Sequence, residues 1–257
     1  MKLKYLSLFI LLHLAGIHLA AQFPRFKALA FCSEDVERAH VEFARDAISF
    51  FEDLTIGDGF VFEVTSNMDD LMRKDLADYS VILLLNDSPK TEEQRKAFRK
   101  YMEEGGGWFG FHFAAYNDSS TDWPWFVDFL GGGVFWRNNW PPMPAKLVVN
   151  PMHPVTRALP DTYMSPTNEW YQWKPSPREN PAIEVLVSLA ENNYPFGLKD
   201  IIPDGDCPVV WTNKNFRMIY MNMGHGNRIF SDPTQNQLII SGFRWVVASD
   251  QRGDVFK

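Results

Sequence analysis

Three of the six histidines stand where their side chains could do chemistry. His112 and His225 each come directly after a short apolar run, and both are flanked by glycine on at least one side within two residues. His40 follows another apolar run and lies on the apolar stripe of an amphipathic segment, where a structural role is an equal alternative. A neutral imidazole can act as a base, an acid, a hydrogen-bond partner or a metal ligand. The three histidines are far apart in the sequence and form no HExxH motif, so their spacing does not decide between these roles.

The elements that would position these histidines alternate between strand and helix. The Ser80–Asn86 segment is continuously apolar, which is typical of a central strand covered on both faces. Thr91 to Gln94 forms a capping box that opens a helix. The predicted strands of this half are residues 26–32, 60–65, 80–86 and 108–112, and the predicted helices are 36–54 and 91–104. This order predicts an α/β fold with a doubly wound, mostly parallel sheet.

The second half of the chain is less regular, because Pro141, Pro142 and Pro144 interrupt it. Short strands are predicted at residues 146–150, 184–189, 208–212 and 217–221, and a buried helix at 234–249. We see no linker, and so expect one domain over residues 22–257. Ligands bind at the carboxyl ends of the strands in such a sheet. His112 and His225 should therefore meet at that edge, with His40 at the rim of their pocket.

The first 21 residues are predicted to be an export signal. Lys2 and Lys4 precede an apolar stretch, which ends at the small residues Ala20 and Ala21. The stretch is short for a membrane span and has no cysteine for a lipid anchor, so we expect a periplasmic or secreted protein without a membrane anchor. Cys32 and Cys207 either form a disulfide or stay separate thiols.

Charge and glycine patterns exclude several partners. The formal net charge is −7 and no Lys/Arg run is present, so nucleic-acid binding is not expected. The glycine runs at residues 105–107 and 131–133 do not form GxGxxG, and no P-loop occurs. We therefore expect no nucleotide cofactor. A homo-oligomer is compatible with the sequence.

Residues 123–140 hold seven aromatic side chains, interleaved with Arg137, Asn138 and Asn139. Aromatic faces beside amides and a guanidinium suit a sugar, whose C–H face is apolar and whose hydroxyls need polar partners. Trp123, Trp136, Arg137 and Asn138 are thus candidate carbohydrate-binding residues. The alternative is that the aromatic residues of this segment belong to the core, which the helical spacing of Trp125, Phe126 and Phe129 favours.

Six stretches, in order along the chain, resemble the ThuA-like (trehalose-utilisation) family. They are RKYMEEGGGWFGFHFAA (99–115), WPWFVDFLGGGVF (123–135), PMHPVTRALP (151–160), NEWYQW (168–173), CPVVW (207–211) and RMIYMNMGH (217–225). The resemblance implies a flavodoxin-like fold related to class I glutamine amidotransferases, with an irregular aromatic-rich insertion. The chain departs from the family at Asn168, where Asp is usual, and at residues 215–217, where Gly-x-Gly-Arg is common.

The resemblance also implies where the site lies. Gly110-Phe111-His112 occupies the strand-to-helix turn where the amidotransferases carry their Gly-x-Cys nucleophile. With imidazole in place of the thiol, amidotransferase activity is not expected. The NEWYQW stretch adds Glu169 as a carboxylate partner and Tyr171 as a substrate-binding candidate, together with His40. His112, His225 and Glu169 are then the candidate catalytic residues, and also candidate ligands of a divalent metal such as zinc.

Two functions remain open. The first is an exported enzyme that acts on a disaccharide, an oligosaccharide or a keto-sugar, by hydrolysis or by lyase- or isomerase-like proton transfer. The second is a carbohydrate-binding or accessory protein that holds a small sugar in the same pocket without turnover.

Overall fold

The computed structural model describes residues 25–191, 193 and 207–248. The strands are β1 (Lys27–Phe31), β2 (Val61–Thr65), β3 (Val81–Leu84), β4 (Gly107–Phe111), β5 (Val134–Asn138), β6 (Met143–Val149), β7 (Thr162–Asn168), β8 (Tyr171–Lys174), β9 (Ile183–Leu189), β10 (Pro208–Asn213) and β11 (Arg217–Met221). The α-helices are α1 (Arg38–Asp58), α2 (Asp70–Arg73), α3 (Glu92–Glu103), α4 (Pro124–Phe129) and α5 (Pro233–Ala248).

Nine of these strands form one mixed sheet in the order β2-β1-β3-β4-β11-β10-β9-β6-β7. The first five of that order pair in parallel, and the pairings from β11 onward to β7 are antiparallel. Helices α1 and α5 cover one face of the sheet through Phe43 and Phe243, and α3 and α4 cover the other through Phe98 and Phe129. The predicted α/β fold with a doubly wound, mostly parallel sheet is confirmed.

Three strands were not predicted. The antiparallel pair β5 and β8 forms a separate two-stranded sheet, and β7 lies at the edge of the large one. Strand β7 contains Pro166, and β5 falls inside the aromatic-rich segment, where its polar residues obscure any alternation. Strands β7 and β8 flank residues 169 and 170, and β5 pairs with β8, so the irregular half of the chain builds one wall of the site.

Strands β4 and β11 are neighbours, and Phe111 pairs with Met221 at their carboxyl ends. The next residues along the two strands, His112 and Asn222, therefore begin their loops side by side. This pairing brings distant parts of the sequence to one edge of the sheet.

Outside this edge, three further expectations bear on the described residues. Cys32 and Cys207 are both free thiols, so the disulfide alternative is wrong. Within the described ranges, no helix combines the length and the hydropathy needed to cross a membrane. The export signal predicted for residues 1–21 lies outside the described residues.

Candidate functional site

His112 stands at a strained turn. It directly follows β4 and opens a single 3₁₀ turn, His112–Ala115, with a φ of +38°. This left-handed conformation is uncommon for a residue other than glycine and is typical of functional turns. The imidazole is fully buried. The chain thus presents His112 at a sharp strand-to-helix elbow, as the Gly-Phe-His motif predicts.

The contacts of His112 define its tautomer. Nδ1 lies 2.8 Å from the main-chain carbonyl oxygen of Asn222. A carbonyl oxygen only accepts hydrogen bonds, so Nδ1 carries the proton and donates it. In the neutral ring Nε2 is therefore a bare lone pair, and it lies 3.2 Å from Oε2 of Glu169. When Glu169 is ionised, two acceptor atoms face each other across this contact; when it is protonated, its O–H donates to Nε2.

Glu169 lies in the short connection between β7 and β8 and is 8% exposed. The side-chain amide of Asn138, from β5, donates to Oε1, and the Tyr171 side chain also hydrogen-bonds the carboxylate. The Tyr171 ring stacks on His112 with a centroid separation of 3.9 Å. Both strands of the small sheet therefore fix the carboxylate against the imidazole.

His225 joins this pair from the other loop. Its Nε2 lies 3.8 Å from Oε2 of Glu169 and 3.5 Å from Oε1 of Glu37. The ring of His225 is 5% exposed and lies 5.8 Å from the ring of His112. The three side chains proposed as the catalytic set are thus brought together at the carboxyl edge of the sheet.

His40 lies inside the cluster rather than at its rim, which corrects the sequence expectation. Its ring is 3% exposed, 5.3 Å from that of His112 and 5.1 Å from that of His225. The reason is that α1 starts directly above this edge, where Asn86 donates a hydrogen bond to the His40 carbonyl. Neither ring nitrogen of His40 has a hydrogen-bond partner.

Asn168 is a site residue that the sequence showed only as a departure from the family. Its Oδ1 accepts hydrogen bonds from the backbone N–H groups of Gly224 and His225, both at 3.1 Å. Its Nδ2 donates to the carbonyls of Glu169 and Asn222, at 2.7 and 3.0 Å. An amide can donate and accept at once, so one side chain ties the Glu169 segment to the His225 loop.

Two more residues of the site were not predicted. The Asn222 side chain accepts from the N–H of Tyr171 and donates to its carbonyl, and so fixes β8 against β11. Glu37 precedes α1, with its side chain 56% exposed, and is the most open acidic group of the cluster. Asn222 follows a strand as His112 does, which was an available signal, whereas nothing in the sequence singles out Glu37.

Burial sets the charge state of the cluster. Burial, together with the nearby His225, lowers the pKa of His112 to about 3, against the opposing effect of the hydrogen bonds with Asn222. Burial likewise lowers the pKa of His40 to about 3, with His112 and His225 acting in the same direction. Burial raises the pKa of Glu169, against the opposing effects of His225 and of hydrogen bonds from Asn138 and Tyr171. His40 and His112 are therefore neutral at pH 7, with lone pairs available.

The aromatic residues proposed for sugar binding divide into two groups. Trp123 is 8% exposed and stacks on Phe126 at 4.4 Å in the core, so its assignment to the binding site is wrong. Trp136 is 42% exposed, with the Arg137 guanidinium 4.0 Å above its ring. Trp140 is 70% exposed, and its ring lies edge-on, 6.3 Å from that of His225. Of these two exposed rings, that of Trp140 lies beside the buried polar cluster.

The doubly wound sheet with its helices has the α/β fold of the glutamine amidotransferases. The glutamine amidotransferase from Thermotoga maritima has 12% identity and a TM-score of 0.54, over 87% of this chain and 99% of that one, and shows the shared fold. Residues 27–246 match the family model ThuA, described as trehalose utilisation. The chain belongs to the ThuA family.

Two similar solved structures are described as ThuA-like proteins, and the first of them supports this assignment. The one from Bacteroides uniformis is 55% identical with a TM-score of 0.86, covering 92% of this chain and 97% of that one. The one from Parabacteroides merdae is 19% identical with a TM-score of 0.63, covering 87% and 90%, and is similar in fold. Among curated proteins, none matches the sequence.

Proposed function

We propose that this protein is an enzyme of carbohydrate utilisation, with its reaction centre at His112, Glu169 and His225. The observation that carries this proposal is the contact of 3.2 Å between Nε2 of His112 and Oε2 of Glu169, both buried. A histidine that serves only to fill the core would satisfy its second nitrogen with a donor. Here the second nitrogen faces a carboxylate oxygen, at a turn held in an uncommon conformation.

Proton transfer is the chemistry that this pair supports. The Asn222 carbonyl holds the Nδ1 proton in place, so Nε2 and the Glu169 carboxylate together can take up one proton from a substrate and return it. Abstraction of a proton next to a ketone, or protonation of a glycosidic oxygen, needs a group of this kind. Proton abstraction belongs to lyase- or isomerase-type reactions on a keto-sugar, whereas protonation of the glycosidic oxygen belongs to hydrolysis.

A sugar is the substrate class that the surroundings favour. The family model describes trehalose utilisation, the exposed ring of Trp140 lies beside the cluster, and that of Trp136 is exposed in strand β5. Arg137 and Asn138 add a guanidinium and an amide to the same wall, in strand β5. Such a combination of aromatic faces and planar polar groups complements the apolar face and hydroxyl rim of a pyranose.

The test begins with a thermal-shift screen of disaccharides and keto-sugars, followed by product analysis for each sugar that binds. We expect His112→Ala to remove turnover while the binding affinity stays within about tenfold, because the aromatic walls remain. His153→Ala is the matched control, since this buried histidine packs on Trp245 outside the cluster. A protein that binds sugar and turns over none of it is the carbohydrate-binding alternative, and that result would replace the enzyme proposal.

Export to the periplasm or the outside of the cell is part of the same proposal. Its basis is the order of residue types in residues 1–21, where lysines are followed by an apolar stretch and then by small residues. The intact mass of protein recovered from the expressing cells tests it: we expect a mature chain that begins near Gln22 and carries no lipid. A mass that includes Met1, or a lipid increment, would contradict it.

A further inference from the structure

We propose that the histidine cluster binds one divalent transition-metal ion, with His40, His112 and Glu169 as ligands and with His225 and Glu37 adjoining them. The inference deepens the proposed function, and it rests on that function only for the role the ion would play in turnover. Ion binding itself follows from the geometry of the cluster.

The first argument is the facing pair of acceptors. Nδ1 of His112 donates to a carbonyl, so the lone pair of Nε2 points toward Oε2 of Glu169 at 3.2 Å. Two lone pairs at this distance repel each other unless a proton or a cation lies between them. A second imidazole, that of His225, lies 3.8 Å from the same carboxylate oxygen. The arrangement concentrates electron-pair donors where a single positive centre would satisfy all of them.

The second argument is the buried ring of His40. Only 3% of this residue is exposed, and no group in the described part of the chain hydrogen-bonds either of its ring nitrogens. Nε2 of His225 is likewise buried without a hydrogen bond. A buried polar atom without a partner costs about 1–3 kcal/mol, so a cluster of them points to a ligand that they share.

The third argument is the spacing of the donor atoms. One donor atom from each of His40, His112 and Glu169 lies within 4.8 Å of the others, and the same holds for the set Glu37, His40 and His225. Ligands that bind one ion at about 2.0–2.2 Å lie roughly 3–4 Å apart, so small side-chain movements suffice to close the first set around an ion. His40 belongs to both sets and is therefore the central ligand.

The fourth argument is the support around the ligands. His112 donates its other ring N–H to a backbone carbonyl, which is the usual arrangement for a metal-binding histidine. Asn138 holds the far oxygen of Glu169, and Asn168 holds the backbone of His225. The side chains of His112 and Glu169 are thus held by hydrogen bonds to Asn222 and Asn138 that leave Nε2 and Oε2 facing the cluster.

The donor types select the class of ion. Imidazoles with a carboxylate suit zinc, manganese, iron, cobalt or nickel, whereas magnesium and calcium prefer sites made only of oxygen. The histidines of the cluster are almost inaccessible to solvent, so a sugar would reach it from the side of the exposed Glu37 and Trp140. There the ion could polarise a carbonyl or hydroxyl oxygen of that sugar.

The experiment measures ions without any sugar. Full-length protein, purified without chelator and without a histidine tag, is analysed for metals, then stripped and titrated calorimetrically with Zn²⁺ and, separately, Co²⁺. We expect about one ion per chain, and a visible Co²⁺ spectrum that indicates nitrogen and oxygen ligands. His40→Asn should weaken Zn²⁺ binding by at least about tenfold, and His153→Asn should leave it unchanged.

Glu169→Gln is the second variant, and it decides the question if His40→Asn does not fold. It removes the carboxylate charge with little change in shape, and we expect the same loss of Zn²⁺ affinity. Absence of Zn²⁺ and Co²⁺ binding by the wild-type chain, or equal binding by wild type and the folded cluster variants, would overturn the metal proposal. Sugar turnover by metal-stripped protein would support the proposed function and show that it does not need the ion. Ion binding by a protein that turns over no sugar would support the metal site and contradict the proposed function.

Discussion

Gly224 lies so close to His112 that a Cβ atom at position 224 would be 2.4 Å from the Cβ of the histidine. The backbone of Gly224 is held in this place by Asn168, whose Oδ1 accepts its N–H. The glycine therefore sets the distance between the loops after β4 and β11. The strained elbow of His112 is tolerated because the facing loop has no side chain at this point.

Gly224→Ala should displace His112 from Glu169 and lower turnover by about 100-fold, because a shift of about 1 Å at a reacting group has effects of this size. Steady-state kinetics on the sugar found in the screen checks it. The control is Gly57→Ala in α1, where a Cβ would meet nothing within 4 Å. That change should leave turnover intact and stabilise the helix by up to about 1 kcal/mol. Equal activity of the two variants would contradict the role given to Gly224.

Glu169→Gln should separate catalysis from stability. The amide keeps an acceptor for Asn138 and offers an N–H to Nε2 of His112, so the buried contact becomes a donor–acceptor pair. We expect a melting temperature equal to or above that of the wild type, and turnover lower by a factor of about 10² to 10⁴. Glu92→Gln, on the exposed surface of α3, is the control and should change neither quantity. A fully active Glu169→Gln protein would exclude the carboxylate from the reaction.

The sequence predicted the parallel half of the sheet well, because its strands are apolar runs and its helices carry caps and periodic stripes. Strand β11 begins and ends at the predicted residues, Arg217 and Met221. The proximity of His112 and His225 could be predicted, because it requires only that the strands before them be neighbours in the sheet. Glu37 and the central place of His40 could not be predicted in the same way, because they depend on where α1 starts above the sheet edge.

The antiparallel half shows a different limit of sequence reasoning. Strand β8 is stabilised by the side chain of Asn222, which bonds the backbone of Tyr171 across the site, and not by a repeated apolar pattern. Trp123 and Trp136 lie in the same aromatic-rich segment, yet one is in the core and the other is exposed. Composition identifies such a segment, but only the path of the chain decides which rings face outward.

Acid should destabilise the metal-free protein through its buried histidines. Burial holds the pKa of His40 and of His112 at about 3, against 6.5 for a free imidazole. The unfolded chain therefore binds protons in a range where the folded chain does not, and the stability present above about pH 6.5 is lost as pH falls toward 3. The titratable groups that influence the pKa of His40 are His112, His225 and Glu37.

Thermal melts of chelator-treated protein between pH 7 and pH 4 measure this dependence. We expect the melting temperature to fall steadily on acidification in the wild type, and less steeply in His40→Asn, because one buried titrating group has been removed. The slope is the quantity compared, so a uniform loss of stability in the variant does not affect the result. Parallel curves for the two proteins would show that His40 takes no part in the acid sensitivity.

Trp140→Ala should weaken substrate binding and leave the chemical step unchanged. The Trp140 ring is 70% exposed and lies edge-on to the ring of His225, at 6.3 Å between centroids. An aromatic stacking contact contributes about 0.5–1.5 kcal/mol, so KM should rise roughly 2- to 13-fold while kcat stays constant. Ile56→Ala is the control: this side chain is 86% exposed near the far end of α1, about 24 Å along the helix from His40. A fall in kcat with unchanged KM would place Trp140 in the chemistry instead of in sugar binding.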